Sequence, residues 1–146
     1  MNELKIKLLD EKAGIPRYMT DGAAAMDLCA RLDSPVVLAP GERALIPTGI
    51  AIGLQKGTVA LIFARSGLAV KQGLCLSNGV GVIDSDYRGE ICVGVINQLK
   101  ESYTINPDER IAQLVIMPVS LISPVEADSL DKTERGEGGF GSTGRA

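Results

Sequence analysis

The chain has 146 residues, 45% of them hydrophobic, which is enough for one domain with a buried core. Its net charge is −3 and it contains no basic block, so it lacks the clustered Lys and Arg that a nucleic-acid polymer requires. No apolar run approaches membrane-spanning length, and the first residues lack the apolar segment of a secretory signal. We therefore expect a cytoplasmic protein without a membrane segment.

Histidine is absent, and the three cysteines, Cys29, Cys75 and Cys92, form no Cys-x-x-Cys pair. An odd number of unpaired cysteines suits a reducing compartment, and their apolar neighbours predict three small buried side chains. Zinc-dependent nucleoside deaminases need His or Cys ligands in a Pro-Cys-x-x-Cys arrangement. That arrangement is absent from this sequence.

Short alternating segments separated by turn residues run along most of the chain. In the first, Leu4, Ile6 and Leu8 alternate with two lysines, which is the pattern of a half-buried strand. Further strands are predicted at 36–38, 43–46, 50–54, 59–63, 91–96, 103–105 and 111–117. Because turn signals recur about every 8–12 residues, the pattern predicts an all-β sandwich or barrel.

One short helix is predicted from Ser66 to Gln72, with Gly73 ending it. Arg65, Ser66 and Gly67 open this helix, where free N–H groups can bind phosphate. A capped structural helix with a surface arginine is the alternative, and no Walker A motif is present. Beyond the later strands, Pro118 and Pro124 predict that the last strand lies at a sheet edge or pairs with another chain.

The composition changes after residue 127, which divides the chain into a predicted domain (1–127) and a Gly-rich carboxy-terminal arm (128–146). Such a segment is usually a frayed terminus. Here, however, Phe140 offers a stacking surface, while Arg135, Ser142 and Thr143 are suitable phosphate ligands on a closely wrapping backbone.

The segment from Gly81 to Gly89 places two carboxylates and an aromatic ring in a turn between apolar strands. Because histidine is absent, a general base must be a carboxylate, lysine, tyrosine or cysteine. Asp84 is the best-placed candidate, since apolar residues precede it and the turn gives access to a substrate. An acidic hairpin turn without catalytic function is an equally good interpretation of the spacing.

Five segments, in order, resemble those of the trimeric deoxyuridine triphosphate nucleotidohydrolases, the dUTPases. They are 24–28 (AAMDL), 64–68 (ARSGL), 78–89 (NGVGVIDSDYRG), 108–114 (DERIAQL) and 135–144 (RGEGGFGSTG). Ala25 and Ala64 depart from the usual Gly and Pro, and neither change removes a functional side chain. The resemblance implies a jelly-roll-like β-barrel of the dUTPase type, assembled as a homotrimer with shared active sites. The arm would close over the site of a neighbouring subunit.

The resemblance also implies the reaction, which is hydrolysis of dUTP to dUMP and pyrophosphate. This activity limits uracil incorporation into DNA and supplies dUMP for thymidylate synthesis. Asp84 would activate water for attack on the α-phosphorus, and Tyr87 would lie under the deoxyribose and exclude a 2′-hydroxyl. Asp27 would help to hold Mg²⁺ through its bound waters.

The remaining site residues implied by the resemblance bind the base and the phosphates. Asn78, Gly79 and Val82 would contact the nucleoside, where a backbone N–H and C=O pair can select uracil over cytosine. The triphosphate would be bound by Arg65, Ser66, Gly67 and Gln113, with the arm residues Arg135, Ser142 and Thr143 on the γ-phosphate and Gly141 beside them. Phe140 would stack on the uracil. Gln113, a lone amide among apolar residues, needs a polar partner in any case. Arg110 is expected to form a structural ion pair.

Two alternatives share the expected fold. A dCTP deaminase, or its bifunctional relative, would need a different catalytic acid and a different arm. A non-catalytic β-trimer that binds a partner would have lost Asp84, Tyr87 or the arm, and this chain retains all three.

Overall fold

A computed structural model describes residues 3–139, which form twelve strands and one five-residue helix. The strands are β1 Lys5–Leu8, β2 Arg17–Tyr18, β3 Met26–Cys29, β4 Val36–Leu38, β5 Arg43–Pro47, β6 Ile50–Gly53, β7 Thr58–Ala64, β8 Leu74–Leu76, β9 Gly81–Ile83, β10 Cys92–Asn97, β11 Tyr103–Ile105 and β12 Arg110–Pro118. The predicted all-β class and jelly-roll-like barrel are confirmed.

The strands form four antiparallel groups. The largest is a five-stranded sheet in the order β2-β3-β12-β7-β9, and a second sheet has the order β5-β10-β8. Two further pairs, β1-β6 and β4-β11, complete the set. Most of these neighbours are distant in sequence, so their pairing brings remote segments of the chain together.

The barrel interior is filled by the inward-facing side chains, which alternate with outward-facing side chains along each strand. In β10 the buried residues are Val93, Val95 and Asn97, and the residues between them are only partly buried. Asn97 is fully buried, and its Nδ2 donates to the carbonyls of Leu38 and Glu101 at 3.0 and 2.7 Å. Its Oδ1 accepts the Leu99 N–H at 2.9 Å, so this polar side chain is fully satisfied within the core.

The predicted helix is confirmed, although it spans Gly67–Lys71 and has π geometry. Ser66 precedes it with helical dihedrals, and its hydroxyl makes no capping hydrogen bond. Gly73 follows with a φ of +59°, a left-handed conformation that ends the helix. The Ser66 hydroxyl is therefore not used by the helix itself.

The prediction that the last strand lies at an edge of its own sheet is wrong. β12 pairs with β7 from Ala112 to Pro118 and with β3 up to Leu114, which places it in the middle of the five-stranded sheet. Pro118 is tolerated because it is the final residue of β12, where only β7 is paired. Residues beyond position 118 form no strand in the described part of the chain.

The segment from residue 119 to 139 lies largely in the open. Four of its apolar side chains are at least 70% exposed: Leu121, Ile122, Val125 and Leu130. Phe140, Gly141, Ser142 and Thr143 lie outside the described residues. Within 3–139, no helix has the length and hydropathy needed to cross a membrane.

The three cysteines are free thiols, as predicted, but they are less buried than the sequence predicted. Cys29, Cys75 and Cys92 are each only partly buried. Each lies on a strand, at a position where the side chain alternates away from the most deeply buried face.

Candidate functional site

The first cleft, which we call the Arg65 cleft, has a volume of about 480 Å³ and opens where β7 runs into the short helix. Its lining residues are Met19, Ala23, Ala24, Ala25, Asp27, Arg65, Ser66, Gly67, Arg110, Gln113 and Val115. It thus brings together five residues predicted as ligands of phosphate or metal: Asp27, Arg65, Ser66, Gly67 and Gln113. Residues from β3, β7 and β12 meet here because these strands are neighbours in one sheet.

Asp27 is the electrostatic centre of this cleft. Its Oδ2 lies 3.0 Å from Arg110 Nη1, and its Oδ1 lies 3.5 Å from Arg65 Nε. Arg65 also donates from Nη1 to the Arg110 carbonyl at 2.8 Å, which ties the two arginines to one another. The predicted ion pair of Arg110 is confirmed, and its partner is Asp27. The Asp27 side chain is 13% exposed, so these two guanidinium groups offset the charge of a largely desolvated carboxylate.

Gln113 has the hydrogen-bond partner that a lone amide among apolar residues requires. Its Nε2 donates to the carbonyl of Ala64 at 3.0 Å, immediately before Arg65. In the sheet, Gln113 pairs with Asp27 on one side and Phe63 on the other. The amide is therefore held at the edge of the cleft by the strand that leads into the helix.

The second cleft, which we call the Asp84 cleft, has a volume of about 350 Å³. It is lined by Leu45, Val82, Ile83, Asp84, Tyr87, Glu90 and Cys92. Asp84 follows β9 and begins a turn that is closed by the Tyr87 N–H donating to the Asp84 carbonyl at 3.1 Å. The acidic turn and the apolar walls predicted for Asp84 therefore occur together, and the carboxylate itself is exposed.

The Tyr87 ring is held in a fixed place within this cleft. Its hydroxyl donates to the Glu90 carbonyl at 3.0 Å. The ring packs so closely against Gly89 that a Cβ atom at position 89 would have no space. Arg88 Nη1 donates to the carbonyls of Ser85 and Tyr87 at 2.8 and 2.7 Å, which stabilises the same turn. Tyr87 as a whole is 45% exposed, so the residue is accessible to a ligand.

Asn78 and Gly79 are not brought into either cleft. They form the exposed turn between β8 and β9, where the Val80 N–H donates to the Asn78 carbonyl at 2.9 Å. Val82, the third residue predicted to contact the nucleoside, does line the Asp84 cleft. Of the three residues predicted to contact the nucleoside, Val82 therefore lies in the Asp84 cleft, whereas Asn78 and Gly79 lie in the turn that precedes β9.

The two clefts lie at opposite ends of the β7–β9 pair. Ile83 pairs with Ala60, so Asp84 lies beside position 59. Arg65 directly follows β7 and lies six residues further along the chain than position 59. At about 3.3 Å per residue this separation is roughly 20 Å. In one copy of the chain, Asp84 and Arg65 therefore lie near opposite ends of β7.

Leu45, Glu90 and Cys92 line the Asp84 cleft but were missed in the sequence. Leu45 reaches it because β5 pairs with β10, a long-range contact that no local pattern reveals. Burial, together with the nearby Glu90 carboxylate, raises the pKa of the Cys92 thiol, so this cysteine is a neutral wall residue at neutral pH. Glu90 was not predicted as a site residue because nothing in its sequence context distinguishes it from a surface carboxylate.

Arg135 is exposed and lies on the segment beyond the barrel. The N–H groups of Gly136 and Gly138 donate to the carbonyls of Thr133 and Arg135 at 3.1 and 3.0 Å, which gives this part of the arm a local turn. The other predicted arm ligands, Phe140, Gly141, Ser142 and Thr143, fall outside the described residues.

The sequence and the fold are both similar to those of known proteins. The profile of the dUTPase family matches residues 11–144. Deoxyuridine 5′-triphosphate nucleotidohydrolase of Desulfitobacterium hafniense is 53% identical, over 99% of each chain. The corresponding protein of Aeromonas salmonicida is 51% identical, over 98% of this chain and 97% of its own.

Solved structures give the same result. A mutant dUTPase of Staphylococcus bacteriophage 80alpha with dUpNHpp superposes with a TM-score of 0.90 at 30% identity, over 99% of each chain. A mutant dUTPase of phage phi11 of S. aureus, described with a coordinated structural Mg(II) ion, superposes with a TM-score of 0.82 at 27% identity. That match covers 90% of this chain and all of the phage protein.

Proposed function

Because this chain belongs to the dUTPase family and hydrolyses dUTP, we propose that Asp84 is the general base of the reaction. The carboxylate takes a proton from water as the water oxygen attacks the α-phosphorus in line. The bond from this phosphorus to the bridging oxygen breaks, and dUMP and pyrophosphate leave. The observation that carries the assignment is the position of Asp84, exposed at the mouth of a cleft whose walls include Leu45, Ile83 and Cys92.

Tyr87 and Val82 form the sugar side of the same cleft. The Tyr87 ring is fixed by its hydrogen bond to the Glu90 carbonyl and by Gly89, so it presents a rigid face to the deoxyribose. A rigid ring at this place excludes ribonucleotides, because their 2′-hydroxyl would clash with it. Asn78 and Gly79 contribute to uracil recognition from the β8–β9 turn, whose exposed backbone is available to a base.

The triphosphate binds in the Arg65 cleft. Arg65 and Ser66 supply a guanidinium and an uncommitted hydroxyl, Gly67 allows close backbone approach, and Gln113 lies beside them. Positioning and charge neutralisation supply most of the catalysis in phosphoryl transfer. Asp27 contributes by holding Arg65 and Arg110 in place through its two ion pairs.

The separation of roughly 20 Å between the clefts supports a shared active site. A triphosphate is much shorter than this distance, so we infer that Asp84 of one copy meets Arg65 of another. We therefore propose a homotrimer in which neighbouring subunits complete each site. The exposed apolar residues between β12 and the arm, including Leu121, Ile122 and Val125, give this connecting segment an apolar surface that could pack on a neighbour as the chain crosses to it.

In the proposed assembly, the arm (128–146) closes over that neighbouring site. Arg135 and the hydroxyls of Ser142 and Thr143 bind the γ-phosphate, with Gly141 allowing close approach, and Phe140 stacks on the uracil. Closure of a lid excludes water from the reaction and completes the phosphate contacts.

Magnesium fits this cleft as an ion held through water. Within residues 3–139 no group of three His, Cys, Asp or Glu side chains could hold a metal directly. Asp27 Oδ1 has only a long contact to Arg65 Nε, which leaves it free to accept a hydrogen bond from a metal-bound water. Mg²⁺ keeps several waters and binds mainly through substrate phosphates, and when bound it neutralises their charge.

The decisive experiment compares Asp84→Asn with the unchanged protein. In the presence of Mg²⁺, we expect the variant to bind the non-hydrolysable analogue dUpNHpp normally and to release dUMP and pyrophosphate at least about 10³-fold more slowly. Asp33→Asn is a matched control, because Asp33 is an exposed acid that lines neither cleft.

Substrate range is measured with dUTP, dCTP, dTTP and UTP. We expect products from dUTP alone. Full turnover by Asp84→Asn would overturn the general-base assignment, and release of dUTP from dCTP would show a deaminase activity.

A further inference from the structure

We propose that Glu90 is a positioning residue, whose carboxylate holds the Tyr87 ring in the place where it excludes ribonucleotides. This inference rests on the proposed role of Tyr87. Its starting point is a long-range contact: Glu90 Oε1 accepts the backbone N–H of Gly49 at 2.8 Å, across 41 residues of sequence. The bond is partly buried, and a charged acceptor makes it stronger than a bond between neutral groups.

The partner of Glu90 is a rigid point of the barrel. Gly49 has a φ of +70°, and a Cβ atom there would lie 2.7 Å from Ala13 Cβ and 3.0 Å from Arg31 Cγ. Its carbonyl accepts the Leu9 N–H at 2.8 Å. The turn between β5 and β6 is therefore fixed on both sides of the atom that Glu90 binds.

The chain just after Glu90 is fastened to the same turn. The Thr48 N–H and hydroxyl both donate to the Ile91 carbonyl, and the Ile91 N–H donates to the Ile50 carbonyl at 2.8 Å. Those bonds fix Ile91 but leave the backbone of Glu90 itself without another anchor of this kind. The hydrogen bond from the Gly49 N–H to the Glu90 side chain anchors one more residue, on the side of Ile91 that leads to the Asp84 turn.

That extra residue is the one that holds the tyrosine. The Glu90 carbonyl accepts the Tyr87 hydroxyl at 3.0 Å, while Gly89 lies against the ring. Two contacts of one residue, carboxylate to Gly49 and carbonyl to Tyr87, thus join the ring to the barrel. Loss of the carboxylate lets the carbonyl shift, and the ring then moves away from the position that clashes with a 2′-hydroxyl.

The test measures selectivity, which a purely structural role would not change. The ratio of kcat/KM for dUTP to kcat/KM for UTP is determined for Glu90→Ala, Glu90→Gln and the unchanged protein. We expect Glu90→Ala to lower the ratio by about tenfold or more, since displacing a positioning group by about 1 Å has effects of this size. Glu90→Gln should restore most of the ratio, because an amide oxygen still accepts the Gly49 N–H.

Glu42→Ala is the matched control. The Glu42 carboxylate also accepts a backbone N–H in a turn, that of Ala39 at 2.7 Å, but it lines neither cleft. We expect it to leave the ratio within twofold of the unchanged value. If Glu90→Ala does not fold, Glu90→Asp replaces it, because the shorter side chain withdraws the carboxylate from Gly49 and should lower the ratio in the same way.

Tyr87→Ala separates failure of this inference from failure of the proposed function. If Tyr87→Ala lowers the ratio and the Glu90 variants do not, Glu90 has no positioning role and Tyr87 keeps its own. If Tyr87→Ala leaves the ratio unchanged, the proposed role of Tyr87 fails, and the inference about Glu90 fails with it. An equal loss in Glu42→Ala and Glu90→Ala would also overturn the inference, because the effect would then be general loosening.

Discussion

Replacing Gly89 by alanine should damage catalysis with little loss of stability. A Cβ atom at position 89 would lie 2.4 Å from Tyr87 Oη and 2.6 Å from Tyr87 Cζ. Ordinary van der Waals contact begins at 3.4 Å, so the ring has to retreat by about 1 Å, the difference between 3.4 and 2.4. That movement breaks the 3.0 Å hydrogen bond from the Tyr87 hydroxyl to the Glu90 carbonyl.

The cost to folding should be small because the displaced group can move into solvent. Tyr87 is 45% exposed, and Gly89 has no left-handed backbone conformation that a side chain would strain. We expect the free energy of unfolding to fall by no more than about 1 kcal/mol, whereas a 1 Å misplacement at a reacting centre costs up to about 10²-fold in rate. The expected loss in kcat/KM for dUTP is therefore about 10- to 100-fold.

The assay is pyrophosphate release from dUTP and from UTP, together with urea denaturation of each variant. Gly14→Ala is the matched control, because a Cβ atom there meets no atom within 4 Å and Gly14 also has no left-handed conformation. We expect Gly89→Ala to lose activity toward dUTP and to discriminate less against UTP, and Gly14→Ala to do neither. Unchanged kcat/KM and selectivity in Gly89→Ala would refute the argument that the ring position matters.

Three further predictions concern stability and the arm. Asn97→Ala should lower the free energy of unfolding by about 2–4 kcal/mol, measured in urea, because it removes three satisfied hydrogen bonds from the core and leaves buried partners unpaired. The hydrogen bond with Arg31 lowers the pKa of Asp10, so Asp10→Asn should have a lower Tm than the unchanged protein at neutral pH. This Tm difference should close as the pH falls below the ordinary carboxylate pKa of about 3.9, and a difference that persists in acid would contradict the ion-pair explanation. A chain ending before Arg135 should remain folded, by circular dichroism, but hydrolyse dUTP poorly, and full activity in it would overturn the closing-arm proposal.

Much of the fold could be predicted from the sequence because β-strand signals are local. Alternation in segments such as residues 4–8 follows from the two-residue period of a strand, and the turn residues between the segments mark where each strand ends. The short helix could be predicted because Gly73, a residue type that commonly ends helices, follows it. Family membership was visible as well, since five segments occur in order between Ala24 and Gly144.

The environment of the site residues could be predicted only in part. Asp27 has no basic residue beside it in the sequence, yet two arginines flank it in the structure because β3, β7 and β12 are neighbours in one sheet. The central position of β12 was missed for the same reason. Pro118 weakens one ladder position, but the order of strands depends on pairings between distant segments.

The sequence by itself therefore determined the residue types that carry the chemistry, the strands that present them, and the family. The tertiary structure decided which of these residues meet. Strand register placed Asp84 and Arg65 at opposite ends of the β7–β9 pair, and it joined Glu90 to Gly49 across 41 residues. The physical reason is that the alternation of apolar and polar residues in a strand depends on that strand's own sequence. The partner and register of the strand are instead set by side-chain packing across the whole barrel.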